Sequence, residues 1–190
     1  MITKKYVYLL TTLGLLVISY FVLREKRIFM IERPAVRAII INQANALLLV
    51  HMKSEGSLFW LTPGGAIEPG ETQRSALIRE IYEETGITES SIEHIFEPAA
   101  WYSELVLPHK GVPTLFKESF FLVKVRNGSS VTYTHNPDEE EKQLMDDLRW
   151  WKLEDLSTSQ ETFFPVGLPQ LVAELIKAPP IETILLQKRK

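Results

Sequence analysis

A chain of 190 residues with a net charge of −3 is the length of one domain with a sizeable core, and its charge argues against a protein whose main task is gripping a nucleic-acid backbone. No Cys is present, which excludes disulfides, a thiolate metal site and a Cys nucleophile.

Residues 6–23 form an 18-residue stretch without a charge, flanked by Lys4 and Lys5 before it and by Arg24, Lys26 and Arg27 after it. As a helix it would span roughly 27 Å, close to the thickness of a bilayer core. The expectation is an N-terminal hydrophobic transmembrane helix, with residues 1–27 as membrane anchor and basic flank. A cleaved signal segment and a core or partner-binding helix are its rivals. The residues after Ser19 offer no small-x-small cleavage site, and the stretch has no polar stripe to turn toward water. Positive charge is heavier on the C-terminal flank, where Arg33 and Arg37 add to it, and this places the rest of the chain on the cytoplasmic side.

Residues 28–34 read as a linker. Residues 35–41 and 46–52 are rich in Val, Ile and Leu around a polar turn at 42–45, which predicts an antiparallel pair. Phe59, Trp60 and Leu61 form a short strand leading into Pro63-Gly64-Gly65. Pro69-Gly70 marks a turn, and Thr72 is a good N-cap for a helix that runs to about Thr85 and ends at Gly86. Residues 92–101 and 118–125 are strand candidates, with an irregular stretch between them that carries Pro108, His109, Gly111 and Pro113. Asn127-Gly128 signals a turn, and residues 131–133 a short strand. Residues 148–153 predict a further strand and Glu154 the start of a helical turn. A last helix, opened by Pro165 or Pro169, runs near 168–177 and is stopped by Pro179-Pro180. The tail from Ile184 is too short to place. This order is α+β.

The chemistry concentrates between Gly65 and Ile87. Glu80, Glu83 and Glu84 are spaced i, i+3, i+4 and share one helix face, with Glu71 upstream. Leu77, Ile78, Ile81 and Tyr82 fall toward the other side and can pack on a sheet. Arg79 stands i, i+4 from Glu83, within reach of its carboxylate. Carboxylates this close repel one another unless something positive sits among them, and hard oxygen donors suit Mg²⁺ or Mn²⁺ better than zinc. A solvated acidic face is the plain alternative, but such a face normally mixes Lys with Glu, and Lys is absent from the stretch. The four His fall in no triad spacing and no GxSxG occurs, which argues against a serine hydrolase.

Gly65, Glu71, Arg79, Glu80, Ile81, Glu83, Glu84, Gly86 and Ile87 fill every specified position of G-x5-E-x7-R-E-U-x-E-E-x-G-U, where U is bulky and aliphatic. The segment resembles the Nudix box of the Nudix hydrolases, and FWLTPGG before it and RWWKLEDL behind it extend the likeness. The resemblance implies an α/β/α sandwich around a mixed sheet over residues 35–178, with 179–190 as a tail. It implies a Mg²⁺- or Mn²⁺-dependent pyrophosphohydrolase whose substrate is a nucleoside diphosphate derivative, ADP-ribose-like, or an (oxidised) nucleoside triphosphate. The alternative is a non-catalytic nucleotide-sensing module tethered to the membrane.

By the same resemblance Glu84, Glu80, Glu83 and Arg79 carry catalysis. The metal ligands are the Gly65 carbonyl, Glu80, Glu83, Glu84 and one glutamate of the run Asp138-Glu139-Glu140-Glu141, assigned here to Glu141. Glu71 supports the loop. Arg37, Trp60, Trp101, Tyr102 and Phe116 are positioned to contact substrate, against the plain reading of a linker salt bridge for Arg37 and of core packing for each aromatic. ADP-ribose hydrolases of the family often carry a proline where this chain has Ser103, so the nucleotide stays open. Family members are often dimers, so a homodimer is a further expectation.

Overall fold

The computed structural model describes residues 31–54, 56–126, 131–132 and 143–186. The expected anchor over 1–27 and the acidic run that includes Glu141 lie outside the described residues. Among the described residues no helix is long and apolar enough to cross a membrane.

The strand pair expected first is present. β1 (Ile31–Ile41) and β2 (Leu47–Ser54) are antiparallel, with Ile40 opposite Leu48. The turn between them closes because the Asn42 side chain accepts from the backbone N–H groups of Ala44 and Ala46. β1 begins at Ile31, so Ile31 to Pro34 are strand where a linker was expected. β2 turns back into β3 (Ser57–Leu61), and the box helix α1 (Gln73–Thr85) follows. Its boundaries match the sequence signals. Thr72 caps it in a reciprocal capping box with Ser75, and Gly86 ends it at φ 70°.

The expected strand over 92–101 is two strands. Pro98 cannot donate to a ladder, and the chain breaks there between β4 (Ile92–Ile95) and β5 (Trp101–His109). The stretch read as irregular is the tip of a long hairpin between β5 and β6 (Val112–Val125). Lys110 and Gly111 both take positive φ, 48° and 77°, the geometry of a two-residue turn whose twist matches the strands. Pro108 and Pro113 face each other beside that turn. β7 (Met145–Trp151), α2 (Leu153–Thr158), β8 (Phe163–Phe164) and α3 (Leu168–Lys177) complete the order, and the unplaced tail supplies β9 (Ile184–Leu186). Residues 131 and 132 are not in a strand.

The strands join in one mixed sheet with the order β8-β3-β2-β1-β6-β5-β9, while β4 pairs with β6 and β7 with β2. β8 and β9 run parallel to β3 and β5, and the other described pairings are antiparallel. Alternation along β1 divides the core. Val36, Ala38 and Ile40 pack with Leu77, Ile81 and Ala76 of α1 and with Phe121 and Val123. Ile39 and Ile41 pack with Trp60, Trp101, Trp151, Leu156 of α2 and Leu168, Val172 and Leu175 of α3. The result is the expected α/β/α sandwich.

The apolar side of α1 anchors the acidic side in place. Leu77 and Ile81 are fully buried, whereas Tyr82, expected on the packed side, is 42% exposed. Leu77→Ala should therefore cost about 2–5 kcal/mol of stability, and Tyr82→Ala much less. Urea denaturation of the two variants checks this order.

Candidate functional site

The site begins at the turn between β3 and the box helix. Gly64 sits at φ 140°, and a Cβ there would fall 2.1 Å from the Val36 carbonyl oxygen. A Cβ on Gly65 would fall 2.6 Å from Glu80 Oε1. The two glycines let the loop lie directly against β1 on one side and the helix carboxylates on the other. The loop is then fixed by hydrogen bonds. Val36 N–H donates to the Gly65 carbonyl at 3.0 Å, and Ala38 N–H to the Pro63 carbonyl at 2.7 Å. Gly64 N–H donates to Glu84 Oε2 at 2.7 Å. The Gly65 carbonyl, expected at a metal, is thus already an acceptor within the protein.

Glu80 and Glu84 are buried at 7% and 4% exposure, one helical turn apart. Buried carboxylates need partners, and Arg79 supplies much of the compensation. Its Nε and Nη2 donate to Glu71 at 2.8 Å each, its Nη1 to Glu80 at 2.8 Å and to Glu83 at 3.0 Å, and its Nη2 also to the Ala66 carbonyl at 2.9 Å. Hydrogen bonding to Glu71 is the largest cause holding the Arg79 pKa above the ordinary arginine value. Glu71 closes the loop as expected, because its second oxygen also accepts from Glu68 N–H at 2.9 Å.

The three helix glutamates share a face, yet they do not meet around one point. Among the described residues no three His, Cys, Asp or Glu side chains converge closely enough to hold a metal ion. The Arg79 guanidinium lies between Glu80 and Glu83, and Glu84 is turned to Gly64 N–H. The donor chemistry still fits a hard divalent cation. It offers buried carboxylate oxygens, no sulfur or imidazole, and a glycine where any side chain would crowd Glu80.

On the opposite face of β1 from Val36, Arg37 reaches toward the same loop. Its Nε donates to Glu118 at 2.8 Å and its Nη1 to the Gly64 carbonyl at 2.8 Å, while its Nη2 makes no hydrogen bond among the described residues. Burial works against the guanidinium charge, but the carboxylates of Glu118, Glu84 and Glu80 outweigh it and raise the Arg37 pKa. Glu118 is 7% exposed and also accepts from Ser103 Oγ at 3.2 Å. Arg37, Thr62, Ser103 and Glu118 form the polar part of a cleft of about 950 Å³ between the β5–β6 ribbon, β3, α3 and β9.

Of the expected substrate contacts, Arg37 and Phe116 line this cleft. Trp60 and Trp101 do not. They are 1% and 2% exposed, with Trp60 stacked at 4.5 Å on His51 and edge-on to Trp151 at 5.1 Å. The strand alternation that sends Phe59 and Leu61 into the cleft sends Trp60 into the core. Tyr102 is on the far face of β5, in a separate hollow beside α1, and donates to Glu104 at 2.9 Å. Glu118 and Ser103 were missed. The available signal was a lone Glu alternating with Phe116 and Phe120 along a strand, which places a charge on an apolar face.

The Arg79 bonds draw the Glu71 pKa down from 4.5 to about 2. A carboxylate depressed in the fold adds stability that is full above its unfolded value and is lost as the pH falls toward the folded value. Stability should therefore decline between about pH 4.5 and about pH 2, and Glu71→Gln should flatten the decline in that window. Urea melts stepped through this range test it.

The family profile described as NUDIX domain matches residues 31–174. The RNA pyrophosphohydrolase of Rickettsia prowazekii (strain Madrid E) is 30% identical over 131 residues, covering 65% of this chain and 77% of that protein. The RNA pyrophosphohydrolase of Roseobacter denitrificans is 29% identical over 105 residues, covering 52% of this chain and 65% of that protein, so the chain spans just under two thirds of that relative. The crystal structure of a MutT protein from Methanosarcina mazei Go1 superposes with a TM-score of 0.57 at 19% identity, over 78% of this chain and 96% of that one, a likeness of fold. With the match to residues 31–174, the complete box and the sandwich fold in agreement, this chain belongs to the NUDIX family of pyrophosphate-bond hydrolases.

Proposed function

We propose that the protein is a Mg²⁺- or Mn²⁺-dependent pyrophosphohydrolase that cleaves the phosphoanhydride of a nucleoside diphosphate derivative or a nucleoside triphosphate. One observation carries this reading. Two buried carboxylates, Glu80 and Glu84, lie under a glycine loop that Arg37 also grips, so negative and positive groups meet at one point beside an open cleft. The names of the two relatives add RNA as a substrate to test.

Glu80, Glu83 and Glu84 would hold a divalent ion only by turning toward one point from their present arrangement, and the ion would supply charge neutralisation at the phosphates and a more acidic water. The residues of the chain do the rest. Arg37 offers Nη2 to a phosphate oxygen while Glu118 and the Gly64 carbonyl fix the plane of its guanidinium. Arg79 stays with Glu71 and orients the helix carboxylates, acting through them and not on the substrate. Glu84→Gln should reduce kcat by about 10²–10³-fold, the scale of removing one electrostatic group from a catalytic site. The Gln carbonyl can still accept from Gly64 N–H, so thermal unfolding should change little. Full activity in that variant would sink the assignment.

Residues 6–23 are proposed as a single-pass anchor that leaves the catalytic unit on the cytoplasmic side. β1 begins at Ile31, so a chain starting at Ile28 keeps every described strand. That truncated chain should hydrolyse substrate at the full-length rate and leave the membrane fraction. Co-sedimentation of the truncated chain with membranes would contradict the anchor.

A further inference from the structure

The cleft beside Arg37 is divided by chemistry. Its buried polar side chains, Thr62, Ser103 and Glu118, stand with Arg37 at the end nearest the box loop. Gln170 and Glu174 are exposed residues of α3. Most of the remaining lining is apolar. Leu105 and Phe116 are cross-strand partners on the cleft face of the β5–β6 ribbon. At the mouth, Leu107, Phe164, Val166 and Leu185 are 49%, 43%, 64% and 58% exposed.

Two features point to the ligand. A nucleobase has donors and acceptors along its edge, and a site that selects it needs buried polar groups left over for that edge. Here Glu118 is committed to Arg37 and Ser103, and Arg37 to Glu118 and the Gly64 and Thr62 carbonyls, with Nη2 remaining for an anion; the Thr62 hydroxyl is a single short donor, too little to read a whole base edge. The second feature is the exposed apolar mouth, which a ligand would cover favourably only with apolar atoms. The cleft is therefore amphiphilic, with an ion-paired guanidinium at the box and an oily lining beyond it.

We propose that the cleft selects an organic diphosphate whose other substituent is a long apolar chain, prenyl or alkyl, laid along Leu105, Phe116, Leu107 and Val166. This rests on the pyrophosphohydrolase reading and narrows its substrate class. In the reaction a water oxygen forms a bond to the terminal phosphorus, and the bond from that phosphorus to the bridging oxygen breaks. The electron pair stays on the bridging oxygen. The products are the apolar monophosphate and inorganic phosphate, and a proton is released to solvent.

The test is hydrolysis by the full chain with Mg²⁺, read as phosphate released from dimethylallyl, geranyl and farnesyl diphosphate and as AMP formed from ADP-ribose alongside. Each methylene taken out of water strengthens binding by about fourfold. KM should therefore fall by at least about a hundredfold from dimethylallyl to farnesyl diphosphate if only part of the added chain is buried. Leu105→Asn, checked for unchanged thermal unfolding, should raise KM for the farnesyl compound and narrow the gap between chain lengths. Phe116→Ser serves as a second variant if Leu105→Asn fails to fold. Hydrolysis of ADP-ribose with no dependence on chain length would overturn the apolar-chain proposal and leave the pyrophosphohydrolase reading standing. No turnover of any of the four compounds would overturn the apolar-chain proposal, and no turnover of a nucleoside triphosphate or a 5′-triphosphate RNA in the same assay would overturn the pyrophosphohydrolase reading with it.

Discussion

Everything at this site depends on one guanidinium among carboxylates. Two carboxylates 4 Å apart repel by about 4 kcal/mol at an effective dielectric of about 20, and the box places four in a short segment. Arg79 meets three of them and the Ala66 carbonyl at 2.8 to 3.0 Å. It is neither fully exposed nor fully buried, with a quarter of its side chain open to solvent. Its bonds are strong enough to set the loop from Ala66 to Glu71 against the helix. Without that bridge the loop would be held to the helix by the packing of Ile67 and the cap at Thr72. Lys could not replace it, because an ammonium lacks the planar fork that serves two directions at once.

The second constraint is space. Gly64 and Gly65 allow a backbone to pass between β1 and the buried Glu80 carboxylate, with no room for a Cβ at either position. This brings residues from opposite faces of the sheet to one place. Glu80 and Glu84 come from the helix on one face, and Arg37 belongs to the strand positions of the other. Their meeting point is the Pro63–Gly65 loop, which hydrogen-bonds to β1 at Val36 and Ala38 and touches Glu84 on one side and Arg37 on the other. The cleft on the second face is thereby joined to chemistry that originates on the first.

The helix and its loop were legible because their determinants are local. Thr72, Gly86 and the i, i+3, i+4 glutamates each report a backbone geometry within a few residues, and the structure places them accordingly. The cleft was not legible because it is made by distant segments. Leu185 comes to Tyr102 through a parallel pairing of a tail that carries no strand signal of its own length. The β5–β6 tip was hidden by Pro108 and Pro113, which lower strand propensity, and by Lys110, an unusual residue for positive φ. Trp60 and Trp101 were misplaced for a related reason. Composition marks an aromatic as a good stacking surface, but only the strand register decides which face it takes, and here the smaller Leu61 and Ser103 line the cleft instead.

The central claim is that the carboxylates on α1 serve hydrolysis and not ligand sensing. The most direct test is incubation of the full chain with Mg²⁺ and ADP-ribose, a nucleoside triphosphate and an organic diphosphate in water enriched in oxygen-18. The account predicts Mg²⁺-dependent appearance of one labelled oxygen in a single phosphate product of at least one of these compounds. Saturable binding of the same compounds with no labelled product, with Mn²⁺ as with Mg²⁺, would contradict it.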